Sequence, residues 1–522
     1  MARFRLGTIA VMAGALVLAA CSGNSPSSQS SSNTPAGSGS ASTAAAGPSG
    51  TLRVATDTPP DPWDPALATP QDVNMLYYQG PYEFLVNTDG DGKLVPGLAT
   101  SWEQTPTSLT LHLRTGVKFS DGTVFDAAAV KANIEHQQKD GIPPNQAKFM
   151  NVTSMDVVSA DELKLNLSHP TPQLISNLAR QQGMMASPAA LKDLKKLATN
   201  PVGTGGWLLD TAATVPNSKY VFTANPNYWN KAAQGVQKIE ISYIPDQQAR
   251  ANALLTHSVD YAALDFQFAS QVKSAGFTVQ SVPSYPYFLQ IMDRAGTMVP
   301  AFKDPRVRLA MAYAIDQKSF FDVTMSGFGV PSNQWTIPGQ YGYNADYKGL
   351  GYDLAKAQQL MKDAGVSSLE FSIPSYGPFD NYNTAIAGFL AKIGITMKLV
   401  PSQTGNISGE AASGKFPAAI LPAHEVHPQD FYNTRVASFG TQNPFKVAAP
   451  DIDAVMATVT GKDPAADEAA YKKMAGMVSD EGIVIPLGVV SCLQAWDPKH
   501  VTGVTPWQWT CGNVRFAGMR VN

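Results

Sequence analysis

From Gly50 onward about 470 residues run on in which strand-like and helix-like patterns alternate, and a body of that size is too large for a single hydrophobic core. Two or more lobes are therefore required. Leu52 and Val54, then Leu109, Leu111 and Leu113, then Leu163, Leu165 and Leu167, then Ile239, Ile241 and Tyr243 recur at period two, as residues on half-buried strands do. Helices are predicted between them. One opens at Asp304, an N-cap followed by Pro305, and puts Val307, Ala310, Met311, Ala314 and Ile315 on one face. Another opens at Asp353, carries Leu354, Ala357, Met361 and Ala364, and stops at Gly365. A third starts at Asp126 with Val130 and Ile134 inward. This is an α/β pattern.

The segment before this body has a different character. Arg3 and Arg5 precede an uncharged apolar run from Leu6 that ends in Leu18-Ala19-Ala20-Cys21, the layout of an export signal too short to span a bilayer. It resembles the lipobox of bacterial lipoproteins, which implies cleavage before Cys21 and lipidation of that thiol. Two acyl chains, at roughly 0.8 kcal/mol per buried CH₂, hold far more firmly than one. An ordinary secreted protein with an incidental Cys21 is the alternative. Ser22 to Gly50, 29 residues with no charge, aromatic or large aliphatic side chain, cannot offset the entropy of ordering. As a flexible coil it spans on the order of 30 Å, a leash between anchor and body. The expected location is the extracytoplasmic face of the cell membrane.

The formal charge is −3, and loss of a leader carrying Arg3 and Arg5 takes it to −5, which argues against a nucleic-acid partner. No second run of 18 or more apolar residues follows. Beyond Cys21 the chain has Cys492 and Cys511, expected to pair in an oxidising compartment for roughly 3 kcal/mol of unfolded-state constraint.

Two chemistry-like motifs fail on their details. Gly409 to Gly414-Lys415 has phosphate-loop spacing, but Phe416 stands where a Ser or Thr must reach Mg²⁺. His424 and His427 are three apart rather than four, so they miss the helical zinc-protease pattern, and Pro422 and Pro428 speak for a loop. No Gly-x-Ser-x-Gly elbow occurs. No catalytic residue, resident metal or cofactor is assigned.

Four blocks carry a resemblance. They are Leu94 to Trp102 with Leu111 to Lys131; Asn200 to Trp207 with Asn225 to Trp229; Phe302 to Asp316; and Tyr352 to Gly365. In this order they resemble the bacterial extracellular solute-binding proteins of family 5, the peptide, dipeptide and nickel receptors of ABC importers, over essentially the whole chain from Thr51. The resemblance implies a two-lobed periplasmic-binding-protein-like α/β fold with a hinged cleft and an extra subdomain inserted in the first lobe. Mapped here, residues 51–86, 202–286 and 483–522 make lobe I, 87–201 the inserted subdomain and 287–482 lobe II. The hinge falls near Tyr285 to Asp293 and Gly482 to Pro486.

It also implies a function without chemistry on the ligand. Cargo that touches both lobes only when they are closed shifts the open–closed equilibrium, and a membrane permease reads the result. The expected cargo is a short peptide or similar polar solute, and the expected receptor a monomer. Peptide-binding relatives use a Trp-x-x-Asp stretch to meet the peptide ammonium; here Leu421 and His424 fall at those positions, with Glu425 adjacent. Asp293 is a second acidic candidate, its alternative a salt bridge to Arg294 or Arg306. Among the aromatics Trp63, Tyr285, Tyr287, Trp335, Trp507 and Trp509, the ones expected in the cleft are Trp63, Tyr287 and Trp507, beside His424. Two other readings stay open: a metal-chelate receptor using His424 and His427, and a secreted lipoprotein peptidase.

Overall fold

The computed structural model describes residues 47–69, 74–89, 92–403, 405–423, 425, 427–507 and 513–522. Cys21, most of the leash, His424, Trp509 and Cys511 lie outside the described residues. The folded body is organised on an eight-stranded mixed sheet. In spatial order its strands are Ala418–Pro422, Thr278–Ile291, Val484–Trp496, Tyr261–Leu264, Ser49–Thr56, Val236–Tyr243, Lys219–Ala224 and Trp207–Leu209. The strand Ser49–Thr56 pairs in parallel with both neighbours, and the remaining pairs are antiparallel.

Two strands, Thr278–Ile291 and Val484–Trp496, are more than twice the usual length and pair with each other along nearly all of it. Their ladder shifts register between Pro283 and Tyr285 and again between Tyr287 and Phe288. Each irregularity frees a little backbone and bends the ribbon. At the end of this ribbon that holds Thr278 and Trp496, Leu493 to Trp496 pair with Tyr261–Leu264, and at the other end Tyr287 to Ile291 pair with Ala418–Pro422.

A separate four-stranded antiparallel sheet, Ala99–Thr105, Ser108–Leu113, Glu162–Leu167 and Val152–Ser159, stands under the helix Ala127–Asp140. Leu109, Leu111, Leu163 and Leu165 meet Val130 and Ile134 in a core of their own. Other apolar clusters gather around Phe222 and Ile239, around Met311 and Ile373, and around Phe431 and Met474. Separate cores are what size scaling demands of so long a chain.

The three predicted helices form, and each opens on an Asp side chain that accepts a backbone N–H of the first turn. Asp126 accepts from Ala129, Asp304 from Arg306 and Asp353 from Lys356. Gly365 follows the last of them at φ +70°, as a left-handed C′ residue should. The phosphate-loop look-alike becomes the short helix Ile407–Ala412, capped by Asn406. Among the described residues no helix is long and apolar enough to cross a membrane.

Candidate functional site

A cavity of about 950 Å³ opens between the four-stranded-sheet region and the segments around Tyr341, His427 and Gly461. One wall comes from the small sheet and the loop beyond it. Trp102 and Gln104 stand on the strand Ala99–Thr105, and Gln104 Nε2 donates to the Thr171 carbonyl at 2.7 Å, tying that strand to the Pro170–Pro172 loop. Lys93 and Arg180 bring positive charge to this side.

The facing wall is built around the N-terminus of the helix Pro464–Asp480. Asp467 accepts the backbone N–H groups of Thr460 and Gly461 at 3.0 and 2.8 Å, so its carboxylate shapes the loop that leads into the helix. Glu468 is beside it, paired with Lys472 at 2.9 Å. Tyr341 Oη donates to the Pro464 carbonyl at 3.1 Å, which stands its ring against His427 with centroids 5.2 Å apart. The walls thus carry cations on one side and carboxylates on the other.

Trp507 closes one end. Its ring lies under the Arg515 guanidinium at 4.6 Å and meets Phe84 edge-on at 5.8 Å, while Arg515 Nη2 donates to the Thr88 carbonyl at 2.6 Å. The C-terminal segment therefore fixes both Trp507 and Thr88 on the cavity lining.

His427 is the N-cap of the short helix Pro428–Phe431, its Nδ1 accepting the Gln429 N–H at 3.1 Å. Burial, with the nearby Lys148 charge, pushes its pKa down to about 3. A neutral imidazole whose Nδ1 accepts must carry its proton on Nε2, which leaves no lone pair free for a metal. Among the described residues no group of three or more His, Cys, Asp or Glu could hold a metal ion.

Several sequence candidates sit elsewhere. Trp63 is 4% exposed and packs edge-on against Tyr78, Tyr220 and Phe222, so its indole is core and not cavity wall. Tyr287 is buried against Phe379 and Tyr382. Trp335 is stacked on Phe431 at 3.6 Å. Asp293, fully buried, accepts three backbone N–H groups, from Thr297, Met298 and Val299 at 2.7 to 2.8 Å. It organises a turn, and Arg306 pairs with Asp304 instead. Glu425 pairs with Arg435 Nε at 2.8 Å, and Arg435 also donates to Gln290 and to the Pro422 carbonyl. Of the named candidates Trp507 reaches the cavity, together with His427 from the metal reading. Sequence reasoning missed Trp102, Tyr341, Arg180 and Asp467; Trp102 was inside a resemblance block, and the Gly339-Gln-Tyr-Gly-Tyr run was the one local sign of an aromatic loop at Tyr341.

Comparison with known proteins places this geometry. The family profile described as "Bacterial extracellular solute-binding proteins, family 5 Middle" matches residues 93–444. The glutathione-binding protein GsiB of Escherichia coli O1:K1 is 29% identical over 482 residues, covering 85% of this chain and 89% of that one. NikA from Brucella suis, solved with Fe(III)-EDTA, superposes with a TM-score of 0.77 at 25% identity, covering 90% of this chain and 98% of its own. The periplasmic binding protein DppA from Helicobacter pylori, solved with the peptide STSA, gives 0.74 at 23% identity, with 91% and 98% covered. The fold is the two-lobed α/β fold of periplasmic binding proteins. The chain belongs to the bacterial extracellular solute-binding proteins of family 5, and it is a receptor for a small solute.

Proposed function

We propose that this receptor is the lipid-anchored substrate-binding component of an ABC importer and that its cargo is a short peptide or a peptide-like zwitterion. The observation that carries the reading is the charge layout of the cavity: Lys93 and Arg180 on one wall, Asp467 and Glu468 on the other. A ligand with a carboxylate and an ammonium at opposite ends pairs with Lys93 and Arg180 at one end and with Glu468 at the other, the Asp467 oxygens being engaged by the Thr460 and Gly461 N–H groups. Charge-assisted bonds at both ends offset the cost of taking those ends out of water. The volume falls in the range of small-molecule sites, roughly 300–1,000 Å³. Trp102, Tyr341 and Trp507 supply the apolar surface for the body of the ligand. The glutathione-binding relative fits the same reading, because glutathione is a small peptide with charged ends.

In this proposal residues 51–86, 202–286 and 483–522 form lobe I, 87–201 its insert and 287–482 lobe II, with the hinge in the paired long strands. The protein acts as a monomer, Cys21 carries the lipid, and Cys492, which is disulfide-bonded, pairs with Cys511. The chain does no chemistry on its cargo, in keeping with a family of binding proteins.

A native mass spectrum of freshly isolated protein tests the cargo directly, by the mass of whatever co-purifies. Reduced and oxidised glutathione and a panel of di- to tetrapeptides are then added, and binding should raise the melting temperature as RT ln(1 + [L]/Kd) requires. Peptides recovered intact after long incubation support the receptor over a peptidase; turnover would overturn it. Nickel or a metal chelate as the sole stabilising ligand would instead favour the chelate reading that NikA suggests. Loss of the protein from the membrane fraction on Cys21→Ala tests the anchor.

A further inference from the structure

Lys148 is the last residue of the short helix Pro143–Lys148, next to Phe149 in the core of the four-stranded-sheet region. Asp430 belongs to the helix Pro428–Phe431, whose Phe431 sits in the separate core around Met474. The two cores share no residue, and the side chains meet across the gap between them: Lys148 Nζ donates to Asp430 Oδ2 at 2.9 Å. Both are largely shielded, with side-chain exposures of 28% and 10%. Neither lines the cavity, although His427, three residues before Asp430, does.

A second place of approach has no charge at all. A Cβ on Gly461 would stand 3.9 Å from Pro106 and 4.0 Å from Pro170, ordinary contact distances, and all three residues line the cavity. The apolar approach can close to van der Waals distance but is weak and undirected. The ion pair is directional and partly shielded from water.

We propose that Lys148 and Asp430 form a latch between the inserted subdomain and lobe II that sets how far the receptor closes. They are positioning residues: they act on cargo through the separation of the cavity walls and do not touch it. Their consequence for affinity rests on the receptor reading above, whereas the latch itself rests on the contact between the two regions. Losing the pair moves the open-to-closed ratio, and the apparent affinity falls by the fraction of receptor that remains competent.

The test is a spin-label distance measurement on the full chain with Cys21→Ser, labelled at Val157→Cys on the exposed edge strand Val152–Ser159 and at Ala454→Cys on the helix Pro450–Met456. Lys148→Met and Asp430→Asn should each shift the distribution to longer distances, with an open-to-closed ratio changed roughly tenfold. The exchanged pair Lys148→Asp with Asp430→Lys should bring the short distance back, which a merely structural role for either residue would not do. Lys148→Arg, which keeps the charge, serves as the folded control and should retain the short distance. Unchanged distributions in both single variants, or an exchanged pair as open as the singles, would overturn the latch. Distances that respond as expected in a chain that binds no peptide would sink the cargo reading and leave the latch standing.

Discussion

His136 Nε2 lies 2.9 Å from Asp64 Oδ1, and its Nδ1 lies 3.1 Å from Asp140 on the next turn of the same helix. The first contact joins the helix Ala127–Asp140 to the turn that follows Trp63, where Asp64 also accepts the Ala66 N–H. Burial opposes the charged imidazole, but the hydrogen bonds and charges of Asp64 and Asp140 outweigh it and hold the His136 pKa above its ordinary value.

A raised native pKa means that the native state holds this proton more tightly than the unfolded chain does. The contribution is fully present below the unfolded value of about 6.5 and is lost as pH rises from there through the native pKa. Urea unfolding should therefore show stability declining as pH rises above about 6.5, and His136→Gln should flatten that limb. The same change leaves Asp64 buried without its cation and should cost about 3 kcal/mol or more near pH 6.

His427 gives the opposite limb. Its native pKa, pushed down to about 3, means that between that value and 6.5 the unfolded chain takes up a proton that the native state refuses. Stability should fall as pH drops through this window, and His427→Gln should remove part of the fall. Acid unfolding curves of the two single variants separate the contributions, since each flattens one side of the profile.

How much of this was legible in the sequence depended on how local the cause was. The helix starts at Asp126, Asp304 and Asp353 were readable because a cap is made within four residues of itself. Alternation at Leu109 and Leu163 was readable because a sheet face repeats every second residue. Trp63 misled because Pro60 to Asp64 has loop composition. The fold turns the segment at Asp64, through the short turn Pro65–Leu67, and lays the indole among Tyr78, Tyr220 and Phe222, which lie up to 159 positions away. Asp293 misled because three local N–H donors satisfy it, a geometry that composition does not encode. The cavity wall was the least legible, since Trp102, Tyr341 and Gly461 lie far apart in sequence yet share one lining.

Two glycines on the loop Asn200 to Trp207 should be intolerant for steric reasons. A Cβ at Gly203 would stand 2.2 Å from the Pro81 carbonyl oxygen, and one at Gly205 would stand 2.2 Å from that of Gly80. Backbone must move in either case, so Gly203→Ala and Gly205→Ala should each cost about 1–3 kcal/mol or more in chemical denaturation. Gly122, at φ +87° with nothing within 4 Å of the place a Cβ would take, has only its backbone conformation to lose, and Gly122→Ala should cost about 1 kcal/mol.

Arg435 is buried. Its guanidinium donates to Glu425 at 2.8 Å, to Gln290 at 3.2 Å and to the Pro422 carbonyl at 3.0 Å, and it lies over the Phe288 ring at 5.0 Å. It therefore ties the segment after the strand Ala418–Pro422 to the long strand Thr278–Ile291 beside it. Arg435→Met removes the charge and leaves the Glu425 carboxylate shielded from water without its cation, a loss of about 3–5 kcal/mol. Arg435→Lys keeps the charge but cannot reach three acceptors in one plane, so it should recover only part of the stability. Because the tether holds the segment that leads into His427, cargo affinity measured calorimetrically should weaken in both variants, more in Arg435→Met. Equal affinity in Arg435→Met and the parent would show that this segment is held by packing alone.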